Sequence, residues 1–177
     1  MRGLLIGLFG KQKELRITPA EAGKAMATNA ANYQSFVEVL AKHGTVNEIE
    51  AWGLNIFCVA FGMKLATNGR LNPDGEHELL ENFYHMTYEV ATDALKLGED
   101  GYEAFVEWIT QKFKEYDPHA QRYFFQADKN EFDFGGAIVK NLLNREKDAH
   151  ASLLAFHPAI QRIVNTAKIF KDIQFRI

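Results

Sequence analysis

The stretch Ala51-Trp52-Gly53-Leu54-Asn55-Ile56-Phe57-Cys58-Val59-Ala60-Phe61-Gly62-Met63 decides the fold. Asn55 is its single strongly polar side chain, so a helix built from it carries apolar residues on every side and has to be enclosed. A bilayer is one enclosure, but the run is bounded by Glu50 and Lys64 and falls well below the roughly 20 residues a span needs. The alternative is a central helix surrounded by other helices. Gly53, Ala60 and Gly62 let those neighbours approach, and Trp52, Phe57 and Phe61 fill the space between them. Cys58, the only cysteine, lies inside the run, where a thiol acts as a small hydrophobe and the apolar surroundings suppress the thiolate.

Working outward, the flanking segments carry start and stop signals for further helices. Thr18-Pro19-Ala20-Glu21 combines an N-cap threonine, a proline at the first helical position and a capping-box glutamate, which predicts a helix from Pro19 to His43. Thr45-Val46-Asn47-Glu48 reads as a second capping box and opens the central helix, which runs to Thr67 before Asn68-Gly69. Pro73-Asp74 starts a third helix with Leu79, Leu80, Phe83, Thr87, Val90 and Ala91 inward, and Gly98 stops it. A fourth runs from Asp100 to Asp117-Pro118. An aromatic loop follows from Tyr123 to Phe134, then a fifth helix from Phe134 or Gly136, and His157-Pro158 marks the break before a sixth. Only Ile173 to Ile177 could pass for a strand, with nothing evident to pair with. The fold class is therefore all-α, an irregular bundle of five to seven helices around a central apolar helix.

The chain has 177 residues and 47% apolar composition, which suits one domain, residues 18–177, preceded by a tail, residues 1–17. Its 20 basic and 23 acidic residues give a formal charge of -3, so no global basic field attracts nucleic acid. A lone cysteine forms no internal disulfide and fits a reducing, cytoplasmic setting. The tail has an Arg before a short apolar run but no small-residue cleavage site, so secretion is not expected. Its residues Leu4, Leu5, Ile6, Leu8 and Phe9, flanked by Arg2, Lys11 and Lys13, suit peripheral contact with a membrane surface; packing on the domain itself is the plainer alternative.

Two constellations could carry a metal. His77, Glu81 and His85 are spaced by four along one side of the third helix, and Glu146 and His150 repeat that spacing on the fifth. Together they make a candidate divalent-metal set, although the di-iron bundle pattern requires Glu-x-x-His spacing, which neither has. Asn72-Pro73-Asp74-Gly75 with Glu81, and Asp100-Gly101 with Glu107, copy part of a calcium-loop register, but Arg70 and Lys96 stand where the first carboxylate belongs. Helix N-capping explains those acids without an ion. Tyr84 and Tyr88 flank the histidines and give that polar side the aromatic content of a partner interface.

The segment Phe57 to Phe83, FCVAFGMKLATNGRLNPDGEHELLENF, resembles the central signature of the tellurite-resistance-type (TerB-like) helical domains, in which an apolar helix ends in an acidic-Gly turn and a Pro/Ser-Glu-rich start follows. It departs from that pattern in having Asn68 rather than Asp before Gly69. The resemblance implies an all-helical bacterial domain linked to stress or membrane-associated assemblies, and no established reaction. Phosphate-cradling Gly-rich loops, a nucleophile elbow and a His-Glu-x-x-His motif are all missing from the sequence. The expected function is a non-enzymatic protein-binding or assembly module. A metal-binding bundle, enzymatic or for storage, and a small-molecule pocket within the helices are the alternatives.

Overall fold

Thr18 opens the first helix in the way its sequence requires. Its hydroxyl accepts from the Glu21 N–H at 3.2 Å, and the Glu21 carboxylate accepts from the Thr18 N–H at 2.8 Å. The computed structural model of the chain describes residues 16–95, 101–126, 130–145 and 148–176. Its elements are β1 (Arg16–Ile17), α1 (Pro19–Ala30), α2 (Gln34–Leu40), α3 (Glu48–Thr67), α4 (Pro73–Leu95), α5 (Gly101–Phe125), α6 (Glu131–Leu143), α7 (Ala149–Lys171) and β2 (Gln174–Phe175). This is an all-α bundle.

Every residue from Ala51 to Met63 is buried, and α3 touches each of the other six helices. It divides the core in two. Leu54, Phe57, Cys58 and Phe61 pack with α2, α5, α6 and α7, while Trp52, Ile56, Val59, Ala60 and Met63 pack with α1, α4 and Phe105 and Ile109 of α5. By length and composition α3 could cross a bilayer, yet 72% of its most apolar window is buried within the bundle. Gly62 sits so close to α7 that an added Cβ would lie 2.6 Å from the Ile163 carbonyl oxygen.

The expected helix from Pro19 to His43 is in fact two, because side chains from other helices take up the carbonyls at the break. Asn55 Nδ2 donates to the carbonyls of Asn29 at 3.0 Å and Ala30 at 2.7 Å, and Arg162 donates to that of Asn32 at 2.8 Å. The cap of α3 is Asn47 rather than Thr45: its side chain accepts from the N–H groups of Ile49 and Glu50. Glu48 is thereby released to bond elsewhere.

Further boundaries differ from expectation. Proline ends neither α5 nor α7; Pro118 and Pro158 lie inside them. A mid-helix proline loses a hydrogen bond and costs about 3 kcal/mol, but here it is flanked by deeply buried side chains, Tyr116 and Ala120 in α5, Phe156 and Ala159 in α7. Their burial outweighs the lost bond. The helix α5 then continues to Phe125, and α6 starts at Glu131 under an Asn130 cap, so the aromatic loop is shorter than the sequence suggested. Finally, β2 has a partner: Arg16 pairs with Gln174 and Ile17 with Phe175, in parallel. The pair draws Arg16 and Ile17 out of the expected tail. Two residues per strand are too few to leave an alternating pattern.

Candidate functional site

The break between α1 and α2 opens a cleft. Ala27 and Ala31 form one wall, Tyr33, Glu48, Ile49 and Trp52 a second, and Thr87, Val90 and Ala91 of α4 a third, around a volume of about 270 Å³. Trp52 is nearly buried and is held from behind by Trp108, stacked with ring centroids 5.3 Å apart, and by Phe105 at 5.8 Å. Such a base is rigid because both its neighbours are large aromatics. At the rim Ile49 is 54% exposed and Val90 41% exposed, high values for apolar side chains on adjacent helices. Val90 was expected to face inward; it stands at the mouth of the cleft instead.

Two polar groups face this apolar wall. Tyr33 donates to the Glu48 carboxylate at 3.1 Å, and burial together with that bond holds the phenol above its ordinary value, so it remains a donor. Thr87 is 2% exposed and its hydroxyl has no hydrogen-bond partner. A threonine in a helix can return its proton to the preceding turn, so a buried unpartnered hydroxyl beside a cleft is an unmet demand of about 1–3 kcal/mol.

A second polar centre lies behind Trp108. Lys112 is 5% exposed and donates to Glu50 at 2.6 Å and Glu115 at 2.9 Å; Asn141 donates to the same Glu115 oxygen at 2.9 Å and to the Tyr116 hydroxyl at 3.1 Å. Burial alone would depress the ammonium, but the two carboxylates outweigh it and hold Lys112 above its ordinary value. A permanently charged lysine is no nucleophile. The Cys58 thiol is pushed far up by burial and is likewise inert.

Among the described residues, the proposed metal ligands on α4 and His150 on α7 are not brought together. His77 lies 3.6 Å from Glu81, and both side chains are largely exposed; His85 turns away to Glu89 at 3.3 Å. Glu146 lies outside the described residues. His150 belongs to α7 rather than to the fifth helix of the sequence reading, because the αL backbone of Asn144 ends α6 first, and its ring sits 5.2 Å from that of His43. The helix α4 packs chiefly on α1, whereas α7 packs on α3 and α6, so α3 stands between the two halves of the set. Among the described residues no three of His, Cys, Asp and Glu stand close enough to hold a metal ion. Tyr84 and Tyr88 are half-buried, Tyr84 against Phe83 and Phe113, Tyr88 against Tyr102 and Phe105. In the first calcium-like register the Asn72 side chain accepts from the Gly75 N–H at 2.8 Å, as a helix cap does; the second falls partly on residues 96–100, outside the described residues, and Leu4, Leu5, Ile6, Leu8 and Phe9 also lie outside them.

Thr87 and Val90 had no functional mark in the sequence. The one usable signal was Ile49, an isoleucine between two first-turn glutamates. No family model matches the chain, and no curated protein and no solved structure matches it.

Proposed function

We propose that this protein is a non-enzymatic binding module whose recognition element is the α1–α3–α4 cleft, and that its partner is a protein segment with one aromatic anchor. The observation that carries this reading is the combination of an apolar cleft, an exposed Ile49–Val90 rim and the unpartnered Thr87 hydroxyl. An apolar wall alone would suit any hydrophobe. A wall with one unmet hydroxyl suits a tyrosine or tryptophan, which brings an apolar body and a polar tip and is enriched at binding hot spots. Glu48 at the edge favours a cation or donor next to that anchor in the partner. The volume, about 270 Å³, sits at the small end of ligand pockets and accords with a single side chain better than with a large cofactor. The resemblance of residues 57–83 to TerB-like domains agrees with a role that involves no reaction.

Selection of a random peptide library on the intact protein tests this. Peptides enriched on the native protein should share a Tyr or Trp and should be lost on an Ile49→Glu/Val90→Glu variant, with affinity falling about 10-fold or more because a charge is placed against the anchor. Equal enrichment on both proteins, or enrichment without an aromatic, would count against the cleft.

A further inference from the structure

His43, just past the end of α2, and His150, in the first turn of α7, come together from distant parts of the sequence, with ring centroids 5.2 Å apart and planes tilted by 51°. Neither residue lines the cleft. The tilt is neither a stack nor an edge-on contact, so aromatic attraction gives a weak account of the pair. Packing does not force it either, since His150 is exposed and His43 half-buried. Neither imidazole forms a hydrogen bond or an ion pair among the described residues, which leaves ring nitrogens on both available to a ligand.

The backbones that carry the two rings are clamped. Arg145 donates to the His43 carbonyl at 2.7 Å and to the Asp148 carboxylate at 3.0 Å, and Asp148 in turn caps α7 by accepting from the Ala151 N–H at 3.0 Å. On the other side of the same loop, the Asn47 N–H donates to the Leu142 carbonyl at 2.8 Å. The loop of His43 is thus tied on both sides to the segment that leads into His150, and Asp148 neutralises the Arg145 cation where it meets the pair. The separation that results is the one a shared ion requires. A zinc–imidazole bond is about 2.0–2.1 Å, the ring centre lies about 1.1 Å beyond the nitrogen, and at a tetrahedral angle the two centres then stand about 5.2 Å apart. Imidazole is also a ligand that suits zinc, copper and nickel. We propose that His43 and His150 form a two-histidine site for a divalent transition ion of the zinc class, joining the end of α2 to the start of α7. Unlike the set on α4, its ligands come from elements that pack on each other. Two protein ligands leave the other positions to water, so the ion exchanges, and because it binds the folded chain it stabilises the fold.

Calorimetric titration of zinc into the full chain, free of any affinity tag, tests it. One ion should bind per chain and raise the thermal midpoint, whereas magnesium, which prefers oxygen ligands, should do neither. His150→Ala, at an exposed helical position, should keep native circular dichroism and bind zinc at least about 10-fold more weakly, since even the loss of an outer partner costs about 10- to 100-fold. His43→Ala should match it, and His77→Ala/His85→Ala should bind as the native protein does. No zinc uptake by the native protein, undiminished uptake by His150→Ala, or a loss confined to His77→Ala/His85→Ala would each overturn the proposal.

Discussion

Asn55 is the one polar side chain in the central run, and its carboxamide creates the feature on which the candidate site depends. By donating to the carbonyls of Asn29 and Ala30 it ends α1 and opens the gap beside Ala31 and Tyr33. The donor group is what matters, since both partners are acceptors. Asn55→Ala should therefore destabilise the protein by about 2–4 kcal/mol, from the buried Ala30 carbonyl left unsatisfied and a small cavity, while the Asn29 carbonyl keeps the Asn32 N–H at 3.3 Å. Asn55→Asp, nearly the same in shape, should be worse, because it sets a carboxylate against two carbonyl oxygens in a fully buried position. Urea denaturation of the two variants decides the point; equal losses would mean that packing alone, and not donation, holds the break. That Asn55 was exceptional could be read from its neighbours. Where its amide reached could not, because its partners lie 25 and 26 residues earlier in the chain.

Among the elements, α3 was the most legible because its sequence leaves one physical option, enclosure by other helices. The Gly62 contact is a consequence that can be tested separately. A methyl group there would meet the Ile163 carbonyl at 2.6 Å and Thr166 Cβ at 2.7 Å, backbone and branched carbon that cannot swing aside. Gly62→Ala should cost about 1–3 kcal/mol through overpacking despite alanine's better helix propensity. Gly69, in a turn with φ +72 and no atom within 4 Å of an added Cβ, is the contrasting case: strain there comes from the backbone alone. If Gly62→Ala raised the unfolding midpoint, the α3–α7 approach would have to be looser than the structure has it. The helices α5 and α7 were less legible for a related reason. Local rules end a helix near Pro118 and Pro158, and only the tertiary burial of residues on both sides, invisible in either segment, carries each helix past its proline. The cap of α3 shows the same limit on a smaller scale, since Thr45 and Asn47 both satisfy the pattern and Glu48 is drawn away by Tyr33.

On the scale of the whole molecule, the cleft and the lysine centre are assembled from positions far apart in the chain, which is why neither could be read in advance. Ala27, Ile49 and Thr87 acquire meaning only when α1, α3 and α4 meet, and Lys112 is buried only because Glu50, Glu115 and Asn141 arrive from three different helices. Lys112 thus ties α3, α5 and α6 together behind the base of the cleft. Removing the ammonium while keeping the length, as in Lys112→Met, leaves two carboxylates that retain 20% and 27% of their side-chain exposure. Their access to water moderates the penalty of a broken buried pair to roughly 1–3 kcal/mol at neutral pH. The pH dependence follows from the sign of the shift. The folded-state value of Lys112 lies above its ordinary 10.5, so its contribution is complete below that value and is lost only as pH rises through the higher folded value. The stability difference between native protein and Lys112→Met should accordingly stay constant from neutral pH to about pH 10 and shrink above it. Denaturation midpoints of both proteins across that range give the answer: a difference that closes near neutrality would mean that Lys112 is held by packing and is not the cation joining the three helices.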